Sequence, residues 1–470
     1  MKIFNGIPQI RYHSPFLHNI FSGITIAFTA GIYVALNLLG AGGGRPQSAW
    51  MTTRLNACSN SIWVLCSAFG SVVLHTIGPG ITACLGVLGY VLYVGALWFY
   101  TDVGTEGFPF FGAVVCGISA GLIYVTNGYI MLSYPEEKEK GLYVTVAFGL
   151  QATGSIIGSI IPLLIARNND SSGGSLFILP PNKLTRDDGS GVAAMEYRGV
   201  WKEFKSNCSV FKDKYFLMMI PCFLPAECFL VYLGSTNAFH NNLRTRCLCS
   251  FMAVVLQIPF SIILQKILDH TAWRRRTRAL AGLVYVGVPL LGAWIWEIIR
   301  TRNYNRADPP QPMDWTDSNF APIFILFLIN WIASSLWQYV IVYFLGCLTN
   351  DPIRGSHYAG VFRAVLASGE SIVFGLDSLE ISYIKEAGII FCFYATGVLI
   401  FIYMAIFVVE ETRYFKEEHV VVPQHVLTEM GMTDGEAVTG AVVTGREADD
   451  AVVEKGQIHS RPPSTKEVQG

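Results

Sequence analysis

The sequence predicts an all-α membrane protein of about eleven transmembrane helices, and three observations carry that reading. Charged residues make up only 14% of the 470 residues while hydrophobic types reach 52%, against roughly 25% charged residues in soluble domains. The shortfall is concentrated in long charge-poor runs, each close to the ~20 apolar residues that cross ~30 Å of hydrocarbon. The runs fall into two groups on either side of one polar segment.

The first group holds Phe16–Leu39, Asn56–Leu74, Gly80–Tyr100, Phe108–Leu132 and Leu142–Ile165. The second holds Tyr215–Asn237, Cys247–Leu268, Ala279–Ile299, Pro322–Leu348, Tyr358–Leu376 and Ala387–Val409. The chain therefore divides into a cytoplasmic N-terminal segment (1–15), a first bundle of about five spans (16–166), a central polar loop (167–214), a second bundle of about six spans (215–410) and a polar, acidic tail (411–470) whose composition predicts disorder. The run from Phe16 is too long for a signal-peptide core. Pairs of glycines four apart, Gly117/Gly121 and Gly154/Gly158, predict close helix contacts, because packing replaces the hydrophobic drive in lipid.

The net charge of −1 excludes nucleic acid as a partner, since that binding needs a basic field. The eleven cysteines lie mostly in apolar runs without a CxxC pair and read as small packing residues. The nine histidines are scattered, so a histidine-box metal site has no support, and neither a metal nor a cofactor is expected. The sequons at Asn169 and Asn207 read as chance.

Lys and Arg in short loops set orientation. Lys266, Arg274, Arg275, Arg276 and Arg278 mark one loop as cytoplasmic, which puts Lys214 inside as well, two spans earlier. Lys2, Arg11, Lys138 and Lys140 favour an inside N-terminus. The two halves then disagree. Five spans from an inside N-terminus leave Arg167 outside, and Leu176–Pro181, the one apolar stretch before Lys214, is too short to cross. The expectation is that the second half keeps its orientation and the first inverts or folds poorly, with a gap where a sixth helix would pack.

Several strings carry a resemblance: YVALNLLGAGGG (Tyr33–Gly44), LYVGALWFY (Leu92–Tyr100), SYPEEKEKG (Ser133–Gly141), PPNKLTRDDGS (Pro180–Ser190), LRTRCL (Leu243–Leu248), LDHTAWRRRTR (Leu268–Arg278), FLGCLTNDP (Phe344–Pro352) and YAGVFRAVLASGES (Tyr358–Ser371). As a set they resemble the fungal branch of the uncoordinated-93-like family, within the major facilitator superfamily, from about Ile10 to Arg413. The resemblance implies a two-bundle fold of twelve helices with cytoplasmic termini and central loop. It also implies a sixth helix just before the PP…R.DG string, of which only Leu176–Leu179 remains, and a small residue where Glu370 stands.

Ionisable groups inside a span are costly, on the order of 2.5–3.5 kcal/mol, and mark partners or pathways. Glu227 sits mid-span behind Pro221 and Pro225, and broken helices recur at transporter sites. Arg363 and Glu370 lie two turns apart on one face and predict an ion pair within or between helices. Asn330, Ser334, Trp337 and Gln338 form one face of the tenth helix. In a facilitator fold helices one, four, seven and ten line the central cavity, which makes that face, with Asn37, Thr126, Asn127 and Glu227, the substrate-cavity candidates. Gln151, Ser155 and Ser159 read as interhelical contacts. Asp269 with Arg274, Arg275 and Arg276 resembles the cytoplasmic gate motif, in which the carboxylate pairs an Arg or faces a helix N-terminus.

Two functions follow. One is a secondary transporter of a small solute by alternating access. The other is a non-transporting scaffold, a channel-regulatory or trafficking partner of another membrane protein. An enzyme is the weakest reading, because no nucleophile or metal constellation appears. The sequence points to a multi-pass protein in contact with lipid, and it names no solute, coupling ion or organelle.

Overall fold

The computed structural model describes residues 14–38, 46–165 and 199–413. Every long element is a helix. The first, α1 (15–38), carries a π-helical turn at Ala27–Gly31. Next come α2 (46–77), α3 (79–103), α4 (Gly107–Ser133) and α5 (Lys140–Ile165). After the short α6 (Val200–Ser209), six more follow: α7 (Lys214–His240), α8 (Leu243–Leu268), α9 (Arg275–Thr301), α10 (Phe320–Leu348), α11 (Pro352–Ser378) and α12 (Tyr383–Phe407). By length and apolarity, ten continuous helical stretches qualify as membrane spans. One of these, Met51–Tyr100, is 50 residues long, enough for ~75 Å at 1.5 Å per residue.

That stretch is two spans. Gly78 has φ 79° and ψ 162° and is followed by Pro79, a conformation open to glycine and closed to most side chains. The Tyr93 hydroxyl donates to the Asn56 Oδ1 at 2.7 Å, 37 residues away in sequence. An unbroken helix would hold those residues about 55 Å apart, so the chain doubles back at Gly78. Among the described residues this makes eleven spans, at the places the sequence marks for them.

The small-residue pairs do what lipid packing requires. A Cβ built on Gly117 would meet the Ser59 carbonyl at 2.3 Å, and one on Gly121 would meet Cys66 at 2.7 Å. α4 therefore runs parallel to α2 at backbone distance. A Cβ on Gly154 would lie 1.9 Å from the Ala27 carbonyl, which seats α5 against the π turn of α1.

The contacts also fix the sidedness. The end of α2 meets the start of α11 through His75 and Ser356. The end of α4 meets the same place through Ser133 and Pro352. The start of α5 meets the end of α8 through Gly141 and Asp269, and the start of α1 meets α5 through Asn19 and Tyr143. All these ends share one face with the arginines of α9, called here the basic face.

This corrects the expected inversion. The first half stands in the same sense as the second, with the starts of α1 and α7 both on the basic face. Five crossings take the chain from Ser14 to the opposite face at Ile165, and α6 begins back on the basic face. The segment between, with the Leu176–Pro181 stretch and the Asn169 sequon, lies outside the described residues, as do 1–13 and the tail from 414. The central loop is also not wholly irregular, since α6 forms within it. Asn207 of α6 is buried, donating to the Ala68 carbonyl at 2.6 Å and accepting from Ser71 at 3.0 Å, so this sequon is occupied by packing.

Candidate functional site

The α7 helix is broken where its prolines predict. Pro221 and Pro225 supply no backbone N–H, residues Leu224–Ala226 wind as a 3₁₀ turn, and Glu227 sits at φ −124°, ψ 0° before the helix resumes at Cys228. Backbone polar groups freed inside a membrane must be bonded within the protein. Side chains from neighbouring helices meet that need. The Trp337 indole donates to the Cys222 carbonyl at 3.0 Å, Tyr394 to Pro225 at 2.8 Å and Gln338 to Ala226 at 3.1 Å. α11 closes on the same break, where a Cβ on Gly369 would meet the Leu224 carbonyl at 2.0 Å.

Glu227 faces Arg363 of α11 at 3.5 Å. The Arg363 guanidinium is buried and lies 4.4 Å from the Tyr124 ring centroid and 5.5 Å from that of Phe148. Those rings belong to the first bundle and Arg363 to the second, so one desolvated cation is held across the seam by a carboxylate and two π faces. The partner of Arg363 is therefore Glu227. Glu370, two turns on, is buried near Asn60 and makes no ion pair with Arg363 among the described residues. Same-face spacing on α11 found two charges but not the helix that answers them.

Beside this pair lies a cavity of about 50 Å³, room for a few waters. Its polar lining is Gln151, Ser155, Glu227, Gln257, Ser335 and Gln338, contributed by both halves. Gln257 accepts a hydrogen bond from the Trp331 indole at 3.1 Å. The cavity side of α10 is thus Trp331, Ser335, Gln338 and Tyr339.

This departs from the face predicted on α10. Ser334 accepts from Trp294 at 3.3 Å, and Trp337 packs on Tyr394 and Phe401 while capping Cys222. Both point into the second bundle, because the broken helix and the outer helices claim their polar atoms. Asn330 is fully buried, and its amide makes no hydrogen bond among the described residues. In the first half, Asn127 donates to Ser22 at 3.0 Å and Thr126 donates back to the Leu122 carbonyl. Thr126 lines a separate cavity of about 40 Å³ with His18, Ser22 and Pro79. Asn37 lies in the last turn of α1, and its side chain is outside the described ones. Gln257 was missed because it is a single polar residue in an apolar run, and Ser335 because it lies one position off the stripe that runs through Ser334. Gln151 and Ser155, read as interhelical contacts, do bond Tyr124 and the Gly31 carbonyl and line the cavity too.

The basic face is shut by polar contacts between the halves. The Glu137 carboxylate accepts from Arg275 at 2.8 Å and from Asn350 at 2.6 Å. Lys140 donates to the Gly346 and Thr349 carbonyls and to Asn350. Burial alone would raise the Glu137 carboxyl, but the Arg275 and Lys140 charges and the Asn350 amide hold it below the usual carboxylate range. Asp269 accepts from the Gly141 N–H at 3.0 Å, at the positive N-terminus of α5. Burial pushes its carboxyl up to about 7 despite bonds from Gln265 and the α5 backbone. Arg274 is the exposed residue before α9, and Arg276 donates to the Val409 carbonyl. Within the gate-like loop, Asp269 and Arg275 join the halves and Arg274 and Arg276 do not.

Helices α1–α5 and α7–α12 thus meet along one seam, shut at the basic face, around a buried charge pair. The Escherichia coli fucose:proton symporter superposes with a TM-score of 0.56 over 84% of this chain and 99% of that one, at 10% identity. The proton:xylose symporter XylE superposes with a TM-score of 0.56 over 84% and 95%, at 13% identity.

The fold is that of the major facilitator superfamily. No protein-family model matches the chain. Among curated sequences this chain is 27% identical to an uncharacterized membrane protein of Schizosaccharomyces pombe, over 77% of this chain and 78% of that one. It is 25% identical to UNC93-like protein 1 of Arabidopsis thaliana over 80% and 86%. The protein is an integral, multi-pass membrane protein that resembles UNC93-like proteins.

Proposed function

We propose that the protein is a secondary transporter of a small neutral solute, working by alternating access, with Glu227 as the residue that couples solute to proton movement. The Glu227–Arg363 pair beside the polar cavity carries this reading. Pairing a buried arginine with a carboxylate at a helix break gives a charge that is stable together and costly apart. Protonating Glu227 releases Arg363 from it, which links a proton to the separation of α7 from α11. Apart from Glu227 the polar lining is made of amide and hydroxyl groups, and that chemistry suits a solute with several hydroxyls. Both structural neighbours named above are proton symporters, which supports the same reading. The closed basic face is one of the two end states such a cycle needs.

A second reading is a non-transporting scaffold, favoured by the small volume of the cavity in this conformation. Proteoliposomes separate the two. Monosaccharides and polyols added singly to vesicles holding a pH-sensitive dye should drive proton uptake with the wild-type protein. Glu227→Gln, which keeps shape and hydrogen bonding, should abolish uptake by at least tenfold while gel-filtration profile and yield hold. Uptake unchanged in that variant ends the role of Glu227, and no solute-driven uptake across the panel leaves the scaffold.

A further inference from the structure

We propose that His75, Glu203 and His357 form a binding site for a divalent transition metal of the zinc class, clamping α6 across the seam between α2 and α11 on the closed basic face. The three residues come from three elements far apart in the chain, and all three are buried. One ligand atom from each lies within 4.8 Å of the others. The His75 Nδ1 stands 3.3 Å from the Glu203 Oε2, and the His357 Nε2 stands 3.7 Å from the same oxygen. Zinc bonds to imidazole nitrogen and carboxylate oxygen of ~2.0–2.1 Å at tetrahedral angles place ligand atoms about 3.3 Å apart. The set of two imidazoles and one carboxylate also suits this class of ion.

The hydrogen bonds around His75 decide which of its nitrogens is available. The Ser356 hydroxyl donates to the Ile353 carbonyl at 2.7 Å, so its single hydrogen is committed. With that hydrogen on the Ile353 carbonyl, the His75 Nε2, 2.7 Å from the same Ser356 Oγ, is the donor. In that neutral tautomer the Nδ1 presents its lone pair to a carboxylate oxygen 3.3 Å away, and a cation between the two atoms satisfies both. A proton on Nδ1 would serve His75 and Glu203 and would not engage the His357 Nε2, which an ion shared by all three does. The 3.7 Å separation to His357 is too long for a hydrogen bond and suits two ligands of one ion. Ser356 would be the outer partner that fixes the ligand tautomer, a usual companion of metal-bound imidazole.

The site ties both bundles together. His75 ends α2, His357 begins α11, and Glu203 lies on α6, which also packs Phe204 on Phe69 and Asn207 on Ser71. Opening the basic face draws α2 from α11 and splits the ligand set, so a bound ion holds that face shut.

The test uses the full-length protein in detergent, stripped with chelator and titrated with Co²⁺ and then Zn²⁺. We expect one equivalent of Co²⁺ per chain, with the visible absorption of a tetrahedral nitrogen–oxygen site and no thiolate band, displaced by Zn²⁺. His357→Cys should add a thiolate-to-cobalt band, and Glu203→Gln and His75→Ala should lose stoichiometric uptake. Zn²⁺ should raise the unfolding temperature of the wild type and leave that of His75→Ala unchanged. If His75→Ala fails to fold, His357→Cys, which keeps a ligand, decides by its spectrum. Absence of one-equivalent uptake in the wild type overturns the site. So does a His357→Cys spectrum identical to the wild type, or a wild-type spectrum carrying a thiolate band.

Discussion

In the second bundle α9 lies against α12, with Gly287 facing Val398. Its counterpart in the first bundle, α3, has no sixth long helix beside it among the described residues, and Leu88, Val91 and Trp98 stay exposed along it. The two bundles nevertheless stand in matching orientation and close on one face. The difference lies in how each is held. The first bundle rests on backbone-to-backbone approaches at Gly31, Gly117, Gly121 and Gly154, which seat α1 on α5 and α4 on α2. The second has such an approach where Gly369 meets the α7 break and is otherwise filled by large buried rings, among them Trp294, Trp337, Tyr394 and Phe401. Contacts made by small residues in α1–α5 do not depend on a sixth helix, so five helices can assemble without one.

The largest effect expected of this comparison is all-or-none. Single cysteines at Lys138, in the first bundle, and at Trp273, in the second, in a background without accessible thiols, should both resist an impermeant thiol reagent in intact cells. Both should react after permeabilisation, because both positions lie on the basic face and positive loops stay inside. Labelling of one and not the other breaks the matched orientation.

A smaller effect separates the two packing styles. Gly154→Val should destabilise the protein by about 1–3 kcal/mol, the usual cost of forcing atoms into a full contact, since its Cβ meets backbone that cannot step aside. Gly287→Ala, whose Cβ would sit 3.4 Å from a Val398 methyl, should stay within about 0.5 kcal/mol. Thermal unfolding in detergent, followed by gel filtration, reads both. Equal losses would show that the first bundle is no more tightly seated than the second.

The smallest effect is on pH. Asp269, with its carboxyl raised to about 7, favours the closed, folded state while protonated. That contribution is full below the ordinary aspartate range and is lost as pH rises through about 7. Glu137, held low, works in the opposite sense, and its contribution is lost only as pH falls below the usual carboxylate range. The basic face should therefore be most stable in mildly acidic solution and weaken slightly from pH 6 to 8. Asp269→Asn should flatten that slope in a thermal-unfolding series, and an unchanged slope would remove Asp269 as its source.

The spans were legible because a bilayer demands charge-free length, and the break at Glu227 was legible because proline chemistry is local. Partnerships were not. Arg363 and Glu370 share a face of one helix, yet the arginine is answered by α7, because its position relative to α11 is set by where Gly369 lets the helices touch. On α10 nearly every residue is buried, so periodicity could not say which side meets the cavity. Asn330, Ser334, Trp337 and Gln338 make a true stripe, but only Gln338 reaches the cavity. His75, Glu203 and His357 are invisible to spacing, since the fold alone brings them together. The Asp269 contact with the start of α5 was legible as one of two options for a gate carboxylate.

The single-residue turn at Gly78 has a mechanical meaning. A loop of several residues would let one helix tilt while its neighbour stays still. Here α2 ends and α3 begins with no slack between them, so the pair moves as one stiff lever with its elbow at the basic face. A swing of α2 away from α11 would therefore have to carry α3 with it, including the exposed side that bears Leu88, Val91 and Trp98.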